Sequence, residues 1–235
     1  MTLRIHGIKV PLDQAPDDVI PGAALDRLGV KRAQLESWRI VRRSVDARHR
    51  KVQLVYSVDV ELADEDVVPS DVAAAPKQTA DLTSTPGSED LPCPPVIVGA
   101  GPAGLFAGLL LARLGYRPLV LDRGGTVRER VERSMRFAAD RSLDPECNAL
   151  FGIGGAGTFS DGKLTASSGH LWLHAVLEIL VECGAPPDIL IDAKPHVGTD
   201  VLGEVVEKLA RQIEQHGGVV RTGVRVDGLR ISERT

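Results

Sequence analysis

Three glycines at fixed spacing are the residues in this chain of 235 best placed to do chemistry. They lie in Val96-Ile97-Val98-Gly99-Ala100-Gly101-Pro102-Ala103-Gly104. A Gly-x-Gly-x-x-Gly turn between a strand and a helix is suited to a pyrophosphate. Gly99 permits the tight turn. Gly101 lets the backbone approach a phosphate with no Cβ in the way, and Gly104 lets the helix pack closely on the strand. Pro102 suits the first helical turn, where a missing N–H costs nothing, and Ala103 continues that turn. The free N–H groups and the positive end of the helix dipole then face the anion. Asp122 closes the next apolar run, Leu119-Val120-Leu121, about 20 residues after the glycines, where a ribose-binding acid is expected. A carboxylate there can accept hydrogen bonds from both ribose hydroxyls and would repel a 2′-phosphate.

A second glycine-rich stretch follows, Phe151-Gly152-Ile153-Gly154-Gly155-Ala156-Gly157-Thr158-Phe159-Ser160-Asp161-Gly162-Lys163-Leu164. Its glycines allow positive φ and expose N–H groups that could wrap a phosphate or the polar edge of a flavin ring. Phe151, Ile153, Phe159 and Leu164 are expected to anchor it into a core. The first fingerprint alone leaves FAD and NAD both open, and an NAD-binding dehydrogenase would leave this second loop unexplained. Cys93, Cys147 and Cys183 are far apart, with no Cys-x-x-Cys pair, so neither a zinc site nor a dithiol redox motif is supported.

The elements that must position these residues are readable in outline. Leu3, Ile5, Ile8 and Val10 predict a first strand; Ala23, Ala24, Leu25 and Leu28 predict a short helix stopped by Gly29. Trp38, Ile40 and Val41 begin another apolar stretch. Alternation over 52–62 predicts a strand, joined to the one before it by a hairpin around 47–50. Residues 63–94, rich in Pro, Ala, Ser and Thr, read as a linker between a small α+β (β-α-β-β) domain, 1–62, and a second domain, 95–235.

In that second domain Val96–Val98 is a continuous apolar strand of the kind covered on both faces. A helix to Leu114 follows, then the strand 119–121. Thr126-x-x-Glu129 is a capping box for a helix whose apolar face carries Val127, Val131 and Met135. A helix through Leu173, Val176, Leu177 and Leu180 comes next, then a strand at 189–191. Another helix is capped by Thr199 or Asp200, and strands at 219–221 and 224–231 follow. The order predicts an α/β fold, a Rossmann-like domain with a mostly parallel sheet.

Composition narrows the function. Charge is −4 with a pI near 5.9, and aromatics are 3%, which argues against a nucleic-acid surface. The arginines at 39, 42, 43, 48 and 50, with Lys51, still leave open an RNA- or protein-binding role for the first domain. No apolar run approaches the ~18 residues of a membrane span, and the start lacks a signal peptide's apolar core, so a cytoplasmic protein with no membrane partner is expected.

The stretch from Val96 to Arg123, Asn148 with the glycine-rich loop after it, Arg42-Arg43-Ser44-Val45-Asp46-Ala47-Arg48, and Pro195-His196-Val197-Gly198-Thr199-Asp200 together resemble the bacterial family of uncharacterised FAD-dependent dehydrogenases. That family shares a glutathione-reductase-like FAD domain. The resemblance implies FAD as cofactor, with NAD(P)H as an electron donor and an unidentified small-molecule substrate or acceptor. It implies that Gly99, Gly101, Pro102, Ala103 and Gly104 hold the pyrophosphate, Asp122 the adenosine ribose, and Arg123 the adenine side. Gly154, Gly155, Gly157, Thr158 and Ser160 would run along the ribityl and flavin portion, with Lys163 near the ring, and the backbone of Val226 would meet the adenine edge. Lys163 has two readings: stabilising an anionic reduced flavin, or pairing with Asp161 at a turn. His196, just before a helix, is expected to be a structural hydrogen-bonder. Members of the family are about twice this length, so a C-terminal half is an expected partner.

Overall fold

The computed structural model describes residues 2–48, 50–63, 72, 74–76, 87, 91–159, 162–164 and 171–231. It is a mixed α/β structure with one antiparallel and one parallel three-stranded sheet. Two compact units form: Met1–Ala80 with Leu164–Leu177 and Pro187–Pro195, and Asp81–Lys163 with Glu178–Pro186 and His196–Thr235.

The first unit is built on β1 (Thr2–Pro11), α1 (Pro16–Leu28), β2 (Leu35–Asp46) and β3 (Gln53–Leu62). The sheet runs β1-β3-β2, all antiparallel. One face packs Leu3, Ile5, Ile8 and Val10 against Tyr56, Val58, Val60 and Leu62, and under Ile20, Ala24, Leu25 and Leu28 of α1. The step from Ile5 to Ile8 breaks strict alternation because Gly7, at φ +77°, forms a bulge that restores the inward phase. Helix α1 begins at Pro16, well before the apolar cluster that predicts it. Asp17 and Asp18 occupy its first turn, and Gly29 ends it in the left-handed conformation at φ +67°. On the other sheet face Asp59, 1% exposed, accepts from Arg4 and Arg39.

The units are not contiguous in sequence, whereas the sequence reading assigns everything beyond 95 to one domain. Arg43 supplies part of the reason. Its N–H donates to Ile191 O (2.6 Å), its carbonyl accepts from Ala193 N (2.8 Å), and its guanidinium pairs with Asp188 (2.9 Å) and Asp192 (2.8 Å). Residues 189–191, expected as a strand, are therefore a 3-10 turn, Pro187–Leu190, followed by a single bridge to β2. Paired prolines at 186 and 187 hinder a longer ladder there.

The second unit carries β4 (Val96–Val98), α2 (Pro102–Arg113), β5 (Leu119–Leu121), α3 (Val127–Asp140), α5 (Thr199–Gln215) and β6 (Val219–Arg221). Helix α4 (Leu171–Glu182) lies between α3 and α5 in the chain and contributes its end from Glu178. The strands are parallel in the order β4-β5-β6, in register Val96–Leu119–Val219. Ile97, Val120 and Ile213 meet beneath Gly108 of α2, where a Cβ would already touch Val120 at 2.9 Å. The opposite sides of β4 are open: Val96 is 57% and Val98 64% exposed. The expected cover on both faces is thus present on one.

Three further expectations change. The first residue before α5 is Gly198, with no side-chain cap, so neither Thr199 nor Asp200 serves. Residues 224–231 form no ladder, since only Val224 N finds a strand-like acceptor, Asp122 O just past β5. On α3, Val131 and Met135 are exposed, and the buried positions are Val127 and Arg130.

Candidate functional site

A cleft of about 430 Å³ opens at the C-terminal ends of β4 and β5 in the second unit. Its lining includes Gly99, Gly101, Asp122, Arg123, Gly155 and Val226 among the residues expected from sequence. This is where ligands bind in open parallel α/β sheets, because strand ends and helix N-termini converge there. The volume lies in the lower part of the range for small-molecule sites, roughly 300–1,000 Å³.

The first glycine turn is fixed by its own backbone. Gly99 sits at φ +101°, and its N–H donates to Leu121 O (2.7 Å), tying the turn to β5. Gly101 precedes α2 at φ −72°, and nothing lies within 4 Å of where its Cβ would be. That open space fits a phosphate approaching the backbone. Pro102 is the first residue of α2, and Ala103 lies exposed on the same turn. Gly104 has a packing role, since a Cβ would strike the Gly99 carbonyl.

Asp122 is 6% exposed, and both its oxygens serve the surrounding turns. Oδ2 accepts from Ala100 N (2.7 Å) and Oδ1 from Gly124 N (2.8 Å). The carboxylate therefore braces the first glycine turn from behind while lining the cleft. Each oxygen retains a second lone pair with which to meet a ribose hydroxyl.

The cleft mouth is ionic. Arg123 stacks over the Phe151 ring, 4.5 Å from its centroid, and donates through Nε to Glu146 (2.7 Å). Glu146 also accepts from Arg225 (2.8 Å), which pairs in turn with Asp227 (2.7 Å). The Arg123 guanidinium holds the Glu146 carboxyl below the usual carboxylate range, with Arg225 adding to the effect. Phe151, expected to anchor the second loop, is 38% exposed, because it serves as the platform for Arg123.

The second glycine loop packs on the first. Gly154, at φ +87°, donates to Ala100 O (2.8 Å), and a Cβ on Gly155 would lie 3.2 Å from Pro102. Thr158 is buried, and its hydroxyl donates to Gly155 O (3.1 Å). Gly154 and Thr158 thus shape the wall and do not line the cleft. Gly157 is exposed outside the lining. Lys163, also outside it, makes an antiparallel bridge with His196. Ser160 and Asp161 lie outside the described residues, so the pairing considered for Lys163 is not described.

Sequence reasoning missed Arg130. It is 0% exposed and donates to the carbonyls of Asn148 (3.2 Å), Ala149 (2.9 Å), Ile153 and Gly155 (2.8 Å), and to Thr158 Oγ1 (3.3 Å). The second loop is wrapped around this guanidinium, whose other neighbour is the Phe159 ring at 4.7 Å. Burial pushes the guanidinium below its ordinary value, though it stays a cation. The available signal was its position three residues after Val127, on the buried side of α3. Glu146, Arg225 and Asp227 were missed as well, and no motif marks them.

Comparison with known proteins bears on the ligand. Residues 93–139 match a family model described as an FAD binding domain. FAD binding is therefore supported for this chain. Residues 2–61 match a domain of unknown function (DUF8436). An uncharacterized protein of Clostridium beijerinckii is 37% identical over 234 residues, covering 97% of this chain and 43% of the relative. The chain thus spans less than half the length of that relative. The crystal structure of Thermovibrio ammonificans THI4 aligns with 57% of this chain and 43% of its own, at 22% identity and a TM-score of 0.33. Among the described residues no helix is long and apolar enough to cross a membrane.

Proposed function

We propose that the chain is the nucleotide-binding part of an FAD-dependent oxidoreductase, and that the cleft takes the ADP portion of FAD. The observation that carries this reading is convergence: the first glycine turn, the Asp122 carboxylate and Val226 line one cleft at the strand ends. The pyrophosphate lies against Gly101 and the N-terminus of α2, where backbone N–H groups and the helix dipole favour an anion. Asp122 receives the ribose. Arg123, laid over Phe151, offers a flat cationic surface to the adenine, and the backbone at Val226, outside any strand, offers hydrogen-bonding groups to its edge. The flavin end leads along Gly155 towards Lys163.

When bound, FAD supplies hydride or electron transfer, drawn in this reading from NAD(P)H and passed to an unidentified acceptor. The residues here bind and orient it. Asp122 also disfavours a 2′-phosphorylated ligand in this cleft. The test is titration of the purified chain with FAD, ADP and NADH, followed by flavin fluorescence and calorimetry. FAD and ADP are expected to compete for one site. Binding of NADH with neither FAD nor ADP competition would overturn the assignment, as would no binding of any of the three.

A further inference from the structure

Arg130 is an uncommon object in a protein: a fully buried cation whose hydrogen bonds among the described residues all go to neutral oxygens. A guanidinium has five N–H donors. Here Nε serves Asn148 O, one terminal nitrogen serves Ile153 O and Thr158 Oγ1, and the other serves Ala149 O and Gly155 O. All five are spent on neutral oxygens, so no donor remains for a carboxylate. Carbonyl dipoles satisfy the geometry but leave the net charge in place. A charge taken out of water is costly unless an opposite charge compensates it.

The position of that charge is equally telling. Gly152 and Gly155 line the cleft, and both rest directly on Arg130. A Cβ on Gly152 would run into the Arg130 side chain, and Gly155 O is 2.8 Å from its nitrogen. The guanidinium therefore stands one peptide layer behind the wall that faces Gly101. Asp122, a carboxylate that acts on it through space, lines the same cleft but has both oxygens engaged by backbone N–H groups.

We propose that Arg130 is a positioning residue for the diphosphate of the bound nucleotide, its buried charge acting through the second glycine loop as a fixed counter-charge. This rests on the cleft taking an ADP moiety. The loop turns its carbonyls inward to the guanidinium, which leaves its outward side to the ligand. The charge cannot move or be neutralised, so it favours an anion without an ordering cost at binding.

The experiment compares ADP with adenosine, measured by calorimetry on the full chain. At an effective dielectric of about 20, a unit charge roughly 10 Å away changes an anion's affinity about tenfold. Arg130→Gln is expected to lower the preference for ADP over adenosine by about that factor, while Arg130→Lys, which keeps the charge but loses donors, preserves the preference as both affinities fall. A merely structural role would weaken both ligands alike in both variants and leave the ratio unmoved, which would overturn the proposal. If the variants fail to melt cooperatively, the wild-type protein decides. A buried charge is poorly screened, so the ADP preference should persist between about 0.05 and 0.5 M salt. Its collapse over that range would assign the preference to the half-buried Arg123 and the exposed Arg225 and refute the role of Arg130. Wild-type protein that binds neither ligand would instead refute the nucleotide site itself, a distinct result.

Discussion

Gly101 and Gly104 stand three residues apart in one turn, and the structure gives them opposite jobs. A Cβ on Gly104 would sit 1.9 Å from the Gly99 carbonyl oxygen, where ordinary contact is 3.4–4 Å. The obstacle is backbone, and it belongs to a residue tied to β5 through its own N–H, so it cannot swing aside. Helix α2 must lift away, with Ile97 Cγ2 at 3.3 Å adding to the crowding. Overpacking costs about 1–3 kcal/mol, and a backbone clash belongs at the upper end. Gly104→Ala should therefore lower the melting temperature of the ligand-free second unit by about 6–12 °C, taking about 2–4 °C per kcal/mol for a chain of this size. Gly101→Ala meets no atom within 4 Å and keeps a φ of −72° that alanine tolerates. It should leave that melting temperature within about 2 °C of wild type, as surface substitutions usually do. Its methyl projects into the space assigned to the pyrophosphate, so FAD and ADP affinity should fall at least tenfold. Differential scanning fluorimetry without ligand and calorimetry with ADP measure the two effects. Equal destabilisation by both substitutions, or undiminished ADP binding by Gly101→Ala, would refute this division of labour.

Three smaller outcomes can be checked with the same protein. Thr126 Oγ1 accepts from Glu129 N (3.3 Å) and donates to its carboxylate (2.9 Å), so Thr126→Ala should cost about 1 kcal/mol and Thr126→Ser very little, read as urea midpoints. Glu129, Asp140, Asp144 and Glu146 are all held below the usual carboxylate range, chiefly by Thr126 N–H, the Ser142 hydroxyl, Glu146 N–H and the Arg123 guanidinium respectively. The unfolded chain takes up protons first, so their stabilisation is complete above about pH 5 and is lost as pH falls through about 4 and below. A urea midpoint that rises on acidification through that range would contradict the sign. Cys93 is exposed, whereas Cys183 is fully buried and burial pushes its thiol up. A disulfide reagent should therefore label Cys93 in native protein and reach Cys183 only on unfolding; equal rates would show that the burial is wrong.

Much of the first unit was legible because its sheet sets apolar residues on one face and mostly polar ones on the other, even where Ser57 and Asp59 of β3 are buried. Alternation over β3 marks the inward set, Leu54 to Leu62, without ambiguity. Helix α1 was harder to see. Pro21, inside the helix, works against reading one continuous element from Pro16, although Pro16 at the first position and Asp17 and Asp18 in the first turn are start signals. The packing of 187–195 against β2 was not legible at all. It depends on Arg43 meeting two acids nearly 150 positions away, and neither the arginine nor the aspartates stand out from other surface charges.

The site divides along the same line. Glycines at a fixed spacing between a strand and a helix leave a mark, and an acid closing the next strand leaves another, so Gly99, Gly101, Gly104 and Asp122 could be named together. Arg130 leaves none. Within Val127–Asp140 it is one of four arginines, and periodicity favours burying Val131 and Met135 in preference to any of them. What reverses that preference is a ring of carbonyls contributed by residues 148–155, most of them in a loop with too many glycines to bury itself by side chains. A loop of that composition has little apolar surface with which to fold, and its inward-facing carbonyls need donors. One guanidinium meets that need in a single side chain, as lysine with three donors could not. The glycine content of the loop and the burial of an arginine are thus two sides of one solution. A glycine-rich segment bearing only a few apolar residues should, by the same physics, send a reader looking for a nearby arginine on a helix otherwise poor in core residues.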